Sequence, residues 1–309
     1  MFRGKKLNTR GKTALLFLVA IIVILIPGIV VNDGQKAAKV NESTIDPSLE
    51  LVSFPSEPVT AFADSPLSQS IMEKDREHRE AARIEAVDKQ NQLDLQENTI
   101  YLTFDDGPSK LSNQLLDILD AYGMKATFFM LGPNIKEYPE VVKRKQKEGH
   151  GLALHSMTHD VGKLYSSQTA PSEEMKQNQE ILKSVTGITS NIVRLPYGSI
   201  PYLTEGMRYE LDQNGFIVWD WNVDSRDWEF NNHRYVNHTI WAIQKMKQKG
   251  ETPVVLLHDK PETVKFLPKL LSYLQKQGYQ TKVLTSDMPP LTFQCNGRCL
   301  PISGLTVGG

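Results

Sequence analysis

Cysteine is nearly absent from the chain: there are two, Cys295 and Cys299, in CNGRC near the C-terminus. A four-ligand zinc site would need two more ligands, and none lies nearby in sequence. In an oxidising compartment a disulfide is the first reading, free thiols the second and a metal the third. None of the three bears on catalysis. Excess positive charge is missing too. With 35 Lys and Arg against 36 Asp and Glu, the formal net charge is −1. Nothing in that balance suggests a nucleic-acid partner, which requires a basic face. Residues 66–95 lack sustained a/d heptads, which argues against a coiled coil.

Charge itself is missing from residues 13–31, TALLFLVAIIVILIPGIVV. As a helix these residues would span about 28 Å at ~1.5 Å each, close to the ~30 Å hydrocarbon core. Arg3, Lys5, Lys6, Arg10 and Lys12 precede the run. The positive-inside bias keeps residues 1–12 in the cytoplasm and exports the chain beyond Val31. The expectation is a single-pass membrane anchor. The alternative is a secreted protein released by signal cleavage, but no small-x-small site comes directly after Val31.

What remains is ordinary globular material, 40% hydrophobic and 23% charged over 309 residues in all. Residues 32–65 are polar, carry Pro47, Pro55 and Pro58, and read as a flexible linker. Residues 66–97 are charged and rich in helix formers with only a thin apolar stripe, so they predict a solvated helical stalk. From residue 98 short apolar runs recur at 99–104, 126–131, 151–156, 192–197, 216–221, 253–258 and 281–286. Amphipathic stretches such as 111–123 and 171–187 lie between them and end at glycine. Seven strands alternating with helices imply parallel βαβ units, buried on both faces. The expected fold is α/β, a distorted and incomplete (β/α) barrel of about seven parallel strands over 98–288. An open doubly wound sheet is the second choice, and 289–309 read as a C-terminal tail.

Polar residues collect at the C-terminal ends of these runs, the face where parallel barrels carry their active sites. Asp105 and Asp106 follow the first, His155 and His159 the third, and Arg194 and Tyr197 close the fourth. Asp224, Asp227 and Trp228 follow the fifth, and His258 with Asp259 closes the sixth. Each has a bland reading. TFDDGPS is a strand-end turn whose Asp caps a helix. VRLPYG is a surface Arg before a turn. The tryptophans of WDWNVDSRDW are core. HSMTH is more specific, because His at i and i+4 on a helical turn share one face and can share a metal. With a carboxylate from another strand end it makes a His-His-Asp set with an open position, as catalytic zinc sites have. His78, His150, His233 and His238 sit in polar contexts and read as solvent-facing.

TFDDGPS (103–109), HSMTH (155–159), RLPYG, VDSRDW and LLHD, in this order, resemble the motifs of the polysaccharide deacetylase family. The resemblance covers about 98–288. It implies Asp105 as general base, Asp106, His155 and His159 as ligands of a divalent metal, usually zinc, with cobalt possible, and Arg194 as the group holding Asp105. It implies Tyr197 as an oxyanion donor through its backbone N–H, Asp227 tuning the general acid His258, and Trp228 and Leu256 walling an acetyl pocket. Leu154 and Leu195 stand where many members carry Asn and Pro. The implied activity is metal-dependent removal of N-acetyl groups from an extracellular glycan. N-acetylglucosamine of peptidoglycan comes first; N-acetylmuramic acid, poly-N-acetylglucosamine or O-acetylated xylan are alternatives. An inactive glycan-binding wall protein is the reading from another class. No nucleic acid and no obligate protein partner are indicated.

Overall fold

The structure is a computed structural model that describes residues 66–295. The basic segment, the 13–31 run, the linker and most of the tail lie outside the described residues. In chain order, α1 (Pro66–Gln96) leads to β1 (Thr99–Asp105), α2 (Ser112–Ala121), β2 (Thr127–Met130), α3 (Gly132–Glu137), α4 (Pro139–Lys147) and β3 (Gly151–Leu154). Then come α5 (Val161–Leu164), α6 (Ala170–Thr186), β4 (Ile192–Val193), α7 (Glu205–Gln213), β5 (Ile217–Val218) and β6 (Val223–Asp224). The series closes with α8 (Asp227–Phe230), α9 (Arg234–Gln248), β7 (Val254–His258), α10 (Pro261–Lys276) and β8 (Gln280–Lys282).

Seven strands pair in the order β5-β4-β3-β2-β1-β7-β6, all parallel, and β8 pairs with the start of β1. The two edge strands, β5 and β6, are near neighbours in sequence. Five residue steps reach at most about 18 Å, whereas a flat sheet of seven strands would set its edges about 29 Å apart. The sheet must therefore curl into a half-barrel that stays open between β5 and β6. The seven-strand expectation holds, with different membership. Val223–Asp224 is a two-residue strand inside a loop-like motif, and the last apolar run contributes only β8, off the main path.

The period of two along each strand sorts side chains onto two faces. Ile100, Leu102 and Phe104 of β1, and Val255 and Leu257 of β7, join the helices in the main core. From α2 that core takes Leu115, Leu116 and Leu119, and from α10 Leu267, Leu270, Leu271 and Leu274. Each such leucine contributes roughly 2 kcal/mol of burial. The opposite positions, Tyr101, Phe129, Ala153, Ile192 and Val254, form a second cluster inside the half-barrel. Further along the same rows stand His155 and Arg194, one step on, and Asp105 and His258, two steps on past Thr103 and Leu256. The apolar filling of the barrel thus carries the polar site on top of it.

Three expectations need correction. The helix at 66–96 exists, but its C-terminal part is docked rather than set apart as a stalk. Asp94 is buried and accepts from the Tyr101 hydroxyl at 2.9 Å, and Asn91 bonds Gly250 O and Thr252 N at 2.7 and 2.6 Å. The first tail residues are docked as well, with Leu291 O accepting from Asp220 N at 2.7 Å. Cys295 is disulfide-bonded, and Cys299 lies outside the described residues. Finally, His150 is not solvent-facing. It packs edge-on against Phe128 at 5.4 Å, its Nδ1 accepts from Ala126 N, and burial pushes its pKa down to about 4.

Candidate active site

Asp105 ends β1 and lies in register with His258 at the end of β7. Strand alternation would send the next residue, Asp106, out toward the helices. Its backbone instead turns left-handed, at φ 71°, and swings the second carboxylate back to the barrel mouth. Asn134 of α3 holds this turn by donating to Asp106 O at 2.7 Å. Asp105 is 3% exposed, and its Oδ1 accepts from Arg194 Nη1 at 2.9 Å. Arg194 is fully buried, with Thr103 Oγ1, Trp219 O and Asp220 O as further acceptors and the Phe129 ring 4.0 Å beneath it. One carboxylate oxygen of Asp105 is therefore pinned, while Oδ2 lies 3.8 Å from His155 Nε2.

Asp106, His155 and His159 converge so that one potential ligand atom from each lies within 4.8 Å of the others. His155 Nε2 and His159 Nε2 stand 3.5 and 3.3 Å from Asp106 Oδ1. Ligands about 2.0–2.1 Å from a shared tetrahedral ion would be roughly 3.4 Å apart. Asp106 Oδ1 is buried and has no hydrogen-bond partner, as an oxygen reserved for a cation would be. His155 Nδ1 lies 2.8 Å from Arg194 O; a carbonyl only accepts, so Nδ1 carries the proton and Nε2 offers its lone pair. Burial moves the His155 pKa downward against the pull of Asp105 and Asp106, which favours the neutral ring that a metal requires. The residues present fit a divalent metal.

The sequence expectation of a helical turn at HSMTH is not met. Residues 155–160 are an irregular bend, with Ser156 at φ 74° and His159 at φ 50°. Helix α6 holds it from behind. Glu174 accepts from Met157 N, Thr158 N and the Thr158 hydroxyl, and Asn178 donates to Met130 O and Ser156 O.

On the far side of the mouth Asp227, 1% exposed, accepts from His258 Nδ1 at 2.7 Å and His258 N at 2.8 Å. Thr263 donates to it at 2.6 Å. Burial pushes His258 down, but the Asp227 bond and charge, with Asp105 and Asp106 beyond, outweigh it and hold the ring above its ordinary value. Burial likewise opposes the ionised Asp227, and its bonds to His258 and Thr263 bring it below the usual carboxylate range.

Asp105, Asp106, His155, His159, Tyr197, Trp228, Leu256 and His258 line one cavity of about 440 Å³, with Arg194 and Asp227 buried behind it. Asp224 lines the same cavity, whereas Asp259 does not: its carboxylate accepts from the Ser109 and Ser112 hydroxyls. Tyr197 sits at φ 68°, its hydroxyl donating to His159 O at 3.1 Å. Left-handed Asp106, Ser156, His159 and Tyr197 crowd around this one cavity, the clustering that functional sites show. Leu154 and Leu195, the departures from the family pattern, are buried in the main core. Sequence reasoning missed one wall residue, Lys260, and left Trp221 undecided between core and wall. Trp221 belongs to the tryptophan-rich motif, but nothing in spacing separates a wall Trp from a core one. A second cavity, about 240 Å³, lies by Asp94 and Tyr101, away from these groups.

Comparison with known proteins agrees with this geometry. The family model described as polysaccharide deacetylase matches residues 92–218. YheN of Bacillus subtilis, which carries the name of the same family, is 41% identical over 204 residues, 65% of this chain and 72% of its own. A peptidoglycan-N-acetylglucosamine deacetylase of Bacillus cereus is 41% identical over 183 residues, 58% of this chain and 67% of its own. The crystal structure of the polysaccharide deacetylase Bc1974 from Bacillus cereus superposes with a TM-score of 0.56 at 38% identity, covering 63% of this chain and 96% of that one. Fold and site define a hydrolase acting on carbon–nitrogen bonds. The chain belongs to the polysaccharide deacetylase family.

Proposed function

We propose that the protein removes N-acetyl groups from peptidoglycan, at N-acetylglucosamine, with a divalent ion, zinc first, held by Asp106, His155 and His159. The observation that carries this reading is the convergence, in one cavity, of an orphaned carboxylate oxygen, two imidazoles, a pinned carboxylate and a third histidine bonded to a buried carboxylate. When bound, the ion supplies Lewis acidity that makes water nucleophilic at neutral pH. Asp105, held by Arg194, takes the proton of the attacking water through Oδ2. The backbone N–H of Tyr197 donates to the oxygen of the developing tetrahedral centre. His258, kept protonated by Asp227, gives its proton to the departing nitrogen. Trp228 and Leu256 enclose the acetyl methyl. Acetate leaves, and a free amine stays in the polymer.

The named Bacillus cereus relative supports N-acetylglucosamine as the sugar. The 13–31 run supports a membrane-tethered protein whose catalytic domain faces the wall. Protease added to protoplasts should then reach the catalytic domain and spare residues 1–12; recovery of a soluble form starting just past Val31 would favour signal cleavage instead. The direct test is mass spectrometry of muropeptides treated with the metal-loaded protein. Loss of one acetyl from N-acetylglucosamine, abolished by chelator, is the expected result. Loss from N-acetylmuramic acid alone refutes the sugar assignment, and no loss from any acetylated glycan refutes the activity.

A further inference from the structure

The residues beyond β8 cross the open seam of the half-barrel. At the β5–β6 connection, Asp220 N donates to Leu291 O and Phe293 N donates to Asp220 Oδ2, both at 2.7 Å. Asp220 is fully buried, and its carboxylate also accepts from Ser199 N and the Ser199 hydroxyl at 2.9 and 2.5 Å. From outside, Arg83 of α1 donates to Pro290 O at 3.2 Å and Thr292 Oγ1 at 2.5 Å. The segment is thus bonded on both flanks, to the barrel and to the first helix.

Its aromatic side chain, Phe293, packs against a residue of the cavity wall. The Phe293 ring meets Trp221 edge-on, with centroids 5.0 Å apart at 76°. Gly198, next to Tyr197, sits against both rings at φ 82°; a Cβ there would lie 3.0 Å from Phe293 and from Trp221. Trp221 in turn lines the cavity above Arg194, whose guanidinium is 5.6 Å from its ring. A half-buried indole that lines the cavity suits the C–H face of a pyranose, and it serves as a wall only if its rotamer is held.

We propose that residues 290–293 form a strap that holds Trp221 as a sugar-binding wall, making Phe293 and Arg83 positioning residues for glycan binding. The inference rests on the deacetylase reading and extends it from the acetyl group to the ring that carries it. It predicts a division by substrate. A glycan uses the wall, whereas 4-nitrophenyl acetate carries the acetyl group and no sugar.

The test uses the full metal-loaded chain with an N-acetylglucosamine oligomer and with 4-nitrophenyl acetate. Phe293→Ala should raise KM for the oligomer about fivefold or more, the effect of losing one well-placed aromatic contact. The oligomer kcat and both constants for the ester should stay within about twofold. Phe293→Leu should recover part of the loss. Arg83→Ala, which frees the strap from outside and leaves the barrel filling intact, should move oligomer KM the same way and carries the test if Phe293→Ala does not fold. Equal losses on both substrates would mean that the strap merely supports the fold or Arg194, and would overturn the proposal. A wild type that leaves the oligomer acetylated refutes the functional reading and the strap with it; an active wild type matched by both variants refutes the strap alone.

Discussion

Asp105 and Asp106 are chain neighbours with different proposed roles, and Asp105→Asn separates them. The substitution keeps the shape and the hydrogen bond reach of the side chain but removes its charge. A general base contributes ~10²–10⁴ in rate, about 3–5 kcal/mol of barrier, so kcat should fall by that factor. Stability should fall too. Arg194 is fully buried and loses its only carboxylate. Breaking a buried ion pair costs about 3–5 kcal/mol. Thr103 Oγ1, Trp219 O, Asp220 O and the Phe129 face remain as partners for the guanidinium, which brings the expected cost to about 2–3 kcal/mol. Metal content should not change, because Asp105 stands outside the trio of ligands. Asp106→Asn should show the converse: metal lost, Arg194 undisturbed, and urea stability of the metal-free protein close to wild type. Elemental analysis, turnover and urea denaturation read the three quantities separately. Metal loss confined to Asp105→Asn reverses the roles, and turnover within tenfold of wild type removes Asp105 as the base.

Chelation should abolish activity and zinc or cobalt restore it, while His155→Ala should lose both bound metal and turnover; full activity in a metal-free preparation defeats the mechanism. Asp227→Asn should lower the pKa of His258, since burial then acts with less opposition; the acid is lost sooner as pH rises, so the alkaline limb of kcat/KM moves to lower pH, and two unmoved limbs would show that Asp227 only braces the turn. Lys145 is fully buried with no hydrogen-bond partner for Nζ, and burial, with Asp259 opposing, takes its pKa from 10.5 to about 8. Below pH 8 the native state bears about 3 kcal/mol for that charge, relieved as pH rises toward 10.5 because the unfolded chain then holds more protons. Lys145→Met should therefore stabilise at pH 7 by about 1–3 kcal/mol after loss of the Phe128 cation–π contact. That gain should fade by pH 10.5, and urea denaturation showing a less stable variant at pH 7 contradicts it.

The chemistry was legible because it rides on the period of the strands. His155, Arg194 and His258 each extend an interior row of apolar residues by one step, and Asp105 follows Tyr101 and Thr103 in the same way, so a buried run with a charged end announced both the strand and its exposed mouth. The candidate metal trio was legible by residue type although its local geometry was misread. An i, i+4 histidine pair is expected on a helical turn, yet here the pair sits on a left-handed bend whose support, Glu174 and Asn178, comes from α6. That support is tertiary, and no local pattern encodes it. Two-residue β6 was missed for a similar reason: Val223 and Asp224 are too few to show a period, and only β7 beside them makes them a strand.

The same difference explains why the first helix and the tail were assigned to the outside. The helix docks through single polar side chains, and the tail through main-chain groups and two isolated apolar residues, Leu291 and Phe293, too few to show a period. Arg83, Asn91 and Asp94 lie in a sequence that has the composition of a solvated helix, and two of the acceptors, Pro290 O and Gly250 O, belong to the backbone. A boundary drawn at residue 98, where the apolar runs begin, would therefore cut through the structure. It would leave the Tyr101 hydroxyl without Asp94, the Thr252 amide without Asn91, and the strap without Arg83. A hydrogen bond to a charged group is worth about 1.5–3 kcal/mol, so the first of these losses alone is a sizeable part of the stability of a typical domain. Hydrophobic pattern thus locates the catalytic core, whereas the limits of the folded unit depend on where its polar groups find partners.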